Sequence, residues 1–165
     1  MKHAHHIRPA APRDVPAIVG LIHELADFEN LSHLCQVNAE SLAPHLFGHQ
    51  PSDRPIVECV VGEVSGVVVA FALFFPNFST FLAKPGLYLE DLYIQPAHRG
   101  NGLGKALLEH LASVAVERGC GRFEWCVLDW NERAIRFYEG MGATVMPDWR
   151  LCRMTGERLA AFAKC

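Results

Sequence analysis

The residues at 95–105, Gln-Pro-Ala-His-Arg-Gly-Asn-Gly-Leu-Gly-Lys, constrain this chain more than any other stretch. An apolar run at 87–94 leads in and an amphipathic run at 103–118 leads out, so the segment joins a strand to the start of a helix. Glycines at 100, 102 and 104 free the backbone to curl and bring successive N–H groups into one concavity. The first helical turn adds unpaired N–H groups and a partial positive charge, and Arg99 and Lys105 add formal charge. That combination favours a phosphate or pyrophosphate, although a plain tight turn explains glycine spacing alone equally well. A P-loop requires Ser or Thr after its lysine, and Ala106 stands there. A Gly-x-Gly-x-x-Gly dinucleotide fingerprint needs a third glycine at 107, which is Leu107.

The rest of the chain reads as mixed α/β. A short strand begins at Ile7, and Pro12-Arg13-Asp14 signals helix entry. Ile18, Leu21, Ile22, Leu25 and Phe28 recur at helical spacing, which predicts a helix over 13–30. Asn38 caps a second helix to about Phe47, and 48–55 reads as a loop. The β-branched and aromatic runs at 56–63 and 67–75 predict a hairpin turning at Val64-Ser65-Gly66. Residues 76–86 read as irregular, and 87–94 as the central strand. Leu103, Leu107, Leu111 and Val114 form one helical stripe, which Gly119 and Gly121 end. A strand at 123–128, a helix at 132–141 capped by Asn131 or Asp129, closing strands at 144–146 and 149–154, and a short helix at 157–163 complete the reading.

Composition bounds the function. With 165 residues, 50% of them hydrophobic, the chain reads as one folded domain over 1–165. No apolar run approaches the ~20 residues that span a bilayer, and the N-terminus lacks a signal-peptide hydrophobic region, so the chain reads as cytoplasmic with no membrane partner. A net charge of −3 without a basic block argues against nucleic acid. The six cysteines form no Cys-x-x-Cys and no zinc spacing, so no metal is expected. His3, His5 and His6 read as either a metal-binding tract or a flexible N-terminal segment.

A second constellation follows the 123–128 strand: Asn131, Ala134, Tyr138, Gly142 and Ala143. Asn131 and Tyr138 are seven residues apart and share one helical face. Arg-Gly-Asn-Gly-Leu-Gly followed by this Asn-x-x-Ala-x-x-x-Tyr-x-x-x-Gly-Ala pattern resembles the GCN5-related N-acetyltransferases, which bind acetyl-coenzyme A. From about Ile7 to Met154 the chain is most similar to the diamine (spermidine/spermine) and thialysine branch. Leu-Glu-Asp-Leu-Tyr-Ile at 89–94 and Asp-Trp-Asn-Glu-Arg-Ala at 129–134 carry that likeness.

The resemblance implies an α/β fold, with a mostly antiparallel central sheet of about six to seven strands flanked by helices and a splayed strand pair holding the coenzyme. It implies acetyl-coenzyme A as co-substrate, a small-molecule amine as acceptor and a homodimer. Arg99, Gly100, Asn101, Gly102, Leu103, Gly104 and Lys105 would hold the pyrophosphate. Leu92, Tyr93 and Ile94 would lie along the pantetheine arm, with Asn131 and Ala134 also in contact. Tyr138 would act as general acid and Glu90 as base, through water. Phe28, Glu29, Glu90, Asp91 and Trp149 would meet the substrate. Asp129, as much a solvated surface acid as a functional one, would add negative potential. The polyamine-acetylating members carry Asp-Pro-Trp before the central strand; residues 77–86 have neither Asp nor Trp, which weakens a polyamine acceptor. A protein or peptide N-acetyltransferase and a non-catalytic coenzyme A-binding module remain the rival readings.

Overall fold

The computed structural model describes residues 5–49 and 54–163. His3, Cys165 and the middle of the 48–55 loop lie outside the described residues. The chain divides into two compact units, Met1–Cys126 and Val127–Cys165.

The first unit is a five-stranded sheet in the order β1-β2-β3-β4-β5. Its strands are β1 (His5–Pro9), β2 (Glu58–Val64), β3 (Val67–Ser79), β4 (Lys84–Ile94) and β5 (Phe123–Trp125). All neighbours are antiparallel except β4 and β5, which run parallel. Helices α1 (Val15–Phe28) and α2 (Ala39–Phe47) precede β2, and α3 (Leu103–Glu117) links β4 to β5. Ser65 and Gly66 both have positive φ, 52° and 78°, the pairing that a two-residue type I′ turn between β2 and β3 requires.

One core cluster joins α1 and α2 to the sheet through Ile18, Leu21, Leu42, Leu46, Val61, Phe71, Leu73 and Tyr93. Burying side chains of this size is worth about 1.5–3 kcal/mol each. Helix α3 buries Leu103, Leu107, Leu108, Leu111 and Ala115. A Cβ on Gly62 of β2 would lie 3.0 Å from Leu103 Cδ1, so glycine there allows close approach of helix and sheet.

The segment at 76–86, expected to be irregular, instead prolongs the β3–β4 hairpin to Ser79↔Lys84. Its prolines explain both the expectation and the outcome. Pro76 lies beyond the last β2–β3 pair, Glu58↔Phe74, and Pro85 lies before the first β4–β5 pair, Leu87↔Phe123. Each proline thus sits where its strand has a single neighbour, so its missing N–H costs no second ladder.

The second unit holds α4 (Glu132–Gly140) and α5 (Gly156–Phe162). The strands expected at 144–146 and 149–154 are absent, so the sheet has five strands rather than six to seven. Alternating side chains mark where a strand would suit, but a strand exists only when a neighbour accepts its backbone groups; 143–155 has none among the described residues. No helix among the described residues is long and apolar enough to cross a membrane.

Candidate active site

The candidate donor site begins where β4 loses β5. Pairing covers only Leu87–Leu89 of β4, while the strand runs on to Ile94. Gln95 donates its N–H to the Val69 carbonyl at 3.0 Å, so its backbone faces β3. By alternation, the backbone groups of Leu92 and Ile94 face the other way, along an edge without a partner strand among the described residues. An extended chain with amide groups would dock there as an added strand. The Ile94 carbonyl already accepts Arg99 Nε at 2.8 Å.

The turn that follows has the geometry of an anion cradle. Gly100 and Gly102 have φ of 80° and 86°, a left-handed conformation that side chains with Cβ disfavour. Gly102 is the N-cap of α3 and brings no side chain to its first N–H groups, and the first turn holds no acid. Those donors and the dipole end of a 15-residue helix fit a pyrophosphate. Leu103 is buried, whereas Asn101 is exposed. Lys105, also exposed, lies 3.5 Å from Glu109.

Arg99 has a local task that the sequence did not reveal. Its guanidinium carbon is 5.3 Å from the Phe28 ring centre and 5.1 Å from that of Tyr93. Arg99 therefore ties the last residue of α1 to β4 by cation–π contacts. Tyr93 is buried, and its phenol is held above its usual range by that burial and by Glu24. Glu24 in turn accepts from Gln95 Nε2 at 2.9 Å.

A β-bulge then aims the acids. Leu73 pairs with Asp91 and Phe74 with Leu89, which leaves Glu90 as an extra residue on β4. Leu73 and Phe74 are adjacent and point to opposite faces, so Leu89 and Asp91 do as well. Without the bulge they would share a face. Glu90 itself is exposed. Asp91 joins Glu29 in a cleft of about 180 Å³ walled by Ile22, Leu25, Ala26, Leu31, Leu34 and Cys35. Burial, then Glu90 and Glu29, push the Asp91 carboxyl up to about 6. Burial likewise raises the Glu29 carboxyl. Among the described residues, no basic side chain lines the cleft. Its apolar wall was hidden because α1 uses two adjacent stripes: Ile18 and Leu21 enter the core, whereas Ile22 and Leu25 pack at the core's margin and, with Ala26, also line the cleft.

In the second unit, Asn131 Oδ1 caps α4 by accepting the Ala134 N–H at 3.2 Å. The half-buried Tyr138 stacks its ring 5.5 Å from Phe137. Trp149 is 74% exposed and packs in no core. Asp129 is exposed.

Comparison with known proteins bears on the fold and the family. The model of the acetyltransferase (GNAT) family matches residues 22–143. The L-ornithine N5-acetyltransferase NATA1 of Arabidopsis thaliana is 40% identical, over 96% of this chain and 87% of its own length. The thialysine N-epsilon-acetyltransferase of Mus musculus is 34% identical, over 95% of this chain and 96% of its own. Among solved structures, an integron cassette protein of V. cholerae superposes with a TM-score of 0.79 at 25% identity, covering 98% of each chain.

Proposed function

Because this chain belongs to the acetyltransferase (GNAT) family, whose co-substrate is acetyl-coenzyme A, we propose that it acetylates a primary amine of a small cationic molecule, an amino acid of the ornithine or thialysine type or a diamine. The observation that carries this reading is the Glu29/Asp91 cleft: two carboxylates, both raised, with an aliphatic wall and no basic side chain among its lining residues. Such a site gains most from an ammonium ion, which returns to the carboxylates the charge partner that burial denies them. The wall suits a short methylene chain. Two relatives bear names that specify amines on such chains, ornithine N5 and thialysine Nε.

Each residue then has a task. Acetyl-coenzyme A, when bound, supplies an activated thioester. The N–H groups around Gly100, Gly102 and Gly104 hold its pyrophosphate, and the Leu92–Ile94 edge receives its amide-bearing arm; in the second unit, Asn131 and Ala134 are the proposed coenzyme contacts. The acceptor arrives as an ammonium with a pKa near 10.4, so roughly one molecule in a thousand is neutral at pH 7.4. Glu90, exposed and adjacent to Asp91 in sequence, accepts the amine proton through water. Asp91 and Glu29 hold the substrate, with Phe28 and Trp149 as further contacts. Tyr138, protonated at neutral pH, supplies a proton to the leaving thiolate. We propose residues 1–165 as one acetyltransferase domain. Exposed Trp149, Leu151, Met154, Leu159 and Phe162 support a second copy of the chain as a partner, which sedimentation analysis would test.

The decisive experiment is thiol release from acetyl-coenzyme A across a panel of ornithine, lysine, thialysine, spermidine, short diamines and a basic peptide. The amino-acid and diamine acceptors should turn over best. Turnover confined to the peptide would establish the protein-acetylating alternative, and none at all would point to a coenzyme-binding module. Tyr138→Phe should lower kcat about 100-fold with little loss of coenzyme affinity, and unchanged kcat would remove Tyr138 as the acid.

A further inference from the structure

Cys35 and His23 form a pair that acetyl transfer does not use. Cys35 Sγ lies 3.5 Å from His23 Nδ1. The other ring nitrogen, Nε2, lies 3.2 Å from the Val37 carbonyl oxygen, which only accepts. Nε2 therefore carries the hydrogen, and Nδ1 presents its lone pair to the thiol. This is the arrangement of nucleophile, base and orienting group that activates a side chain for attack. The thiol is half-buried and lines the same cleft as Glu29 and Asp91. Cys59 shows the contrast: it is buried in the core, donates to the Val60 carbonyl, and its thiol is pushed up to about 12.

We propose that Cys35 is a thiol–disulfide exchange site selective for small cationic disulfides of the aminothiol class. The cleft acids attract the ammonium group, and the thiol–imidazole pair meets the S–S bond. The Cys35 proton passes to His23 Nδ1. Sγ attacks one sulfur of the disulfide, the S–S bond breaks, and its electron pair leaves with the other sulfur. That thiolate takes the proton back from the imidazolium. Cys35 ends as a mixed disulfide, one aminothiol is released, and no further oxidant is needed. An excess of free thiol reverses the step. The tethered ammonium stays beside Glu29 and Asp91. Exchange depends on the cleft's geometry and charge; only the consequence, blockage of the acceptor, rests on the acetyl-acceptor reading above.

The test uses the full-length wild-type chain without coenzyme. Cystamine and the neutral bis(2-hydroxyethyl) disulfide are compared at equal concentration, with peptide mass mapping to locate the adduct. Cys35 should be the first residue labelled, at least about tenfold faster by cystamine than by the neutral reagent. Glu29→Gln should remove most of that preference, and His23→Asn should slow both reagents alike. Labelling of exposed Cys126 or Cys152 ahead of Cys35, or equal rates with the two reagents, would overturn the proposal. Amine turnover by the labelled enzyme is read separately and bears on the acceptor reading alone.

Discussion

Two groups of carboxylates in the first unit stand in opposite electrostatic conditions. Around Arg8 the charges are matched. Its guanidinium donates to Asp14 at 2.6 and 2.9 Å and to Glu63 at 2.5 and 3.0 Å, and Asp14 Oδ2 also accepts the Ala11 N–H at 2.7 Å. Asp14 and Glu63 are accordingly held below the usual carboxylate range by Arg8. Around Asp91 no basic side chain among the described residues lines the cleft, and burial with neighbouring acids lifts the carboxyl to about 6. The first group ties β1 to β2 and to the entry of α1. The second is held at a cost to stability, which a cation entering the cleft, as proposed above, would offset.

The sharpest way to break the contrast is Asp91→Asn. It should lower kcat/KM for the amine about 100-fold while raising unfolding free energy at pH 7 by up to about 2 kcal/mol. Denaturant titration beside steady-state kinetics reads both; a loss of activity together with a loss of stability would make Asp91 a structural residue. Arg8→Met should do the reverse. Unfolding free energy falls by about 2 kcal/mol, a Tm loss of roughly 4–8 °C, while the amine KM of the folded enzyme stays the same.

Glu29→Gln should have a smaller effect than Asp91→Asn, raising the amine KM about fivefold. The least effect, and the most diagnostic, is in the pH dependence of stability. Asp14 and Glu63 have depressed folded pKa values, so their stabilisation is present above the unfolded value near 4 and is lost as pH falls through the folded one. Asp91 is raised, so unfolding releases a proton between about 4 and 6, and stability declines as pH rises through that window. Chemical denaturation from pH 3 to pH 8 should show a steeper decline in the wild type than in Asp91→Asn, where only the raised Glu29 still contributes. Amine binding should strengthen over the same interval as Asp91 ionises.

Much of the site was legible because its chemistry is local. The glycines at 100 and 102 between a strand and a helix allow the positive φ that the turn takes, while Gly104 lies in the first turn of α3. Asn131, Ala134 and Tyr138 share a helical face by spacing alone, and α4 begins at Glu132 as that pattern predicts. The Arg99 clamp was not legible, because Phe28 lies far from it in sequence and nothing local marks nearby Tyr93 as its partner. The same holds for Cys35 and His23, brought within 3.5 Å by the turn after α1.

The amino-acid sequence by itself determined the main helices, the glycine turn and the acids at 90 and 91, because helix period, glycine φ and side-chain charge are properties of short stretches; the strands at 76–86 and the missing ones after 143 depended on pairing. What it could not determine was where the acids point. A strand read with period two puts Leu87, Leu89 and Asp91 on one face. The unpaired Glu90 in the β3–β4 ladder reverses that parity and sends Asp91 to the cleft beneath α1. A bulge is a mismatch between two strands, so it exists only once both are paired, and only the tertiary structure decided it.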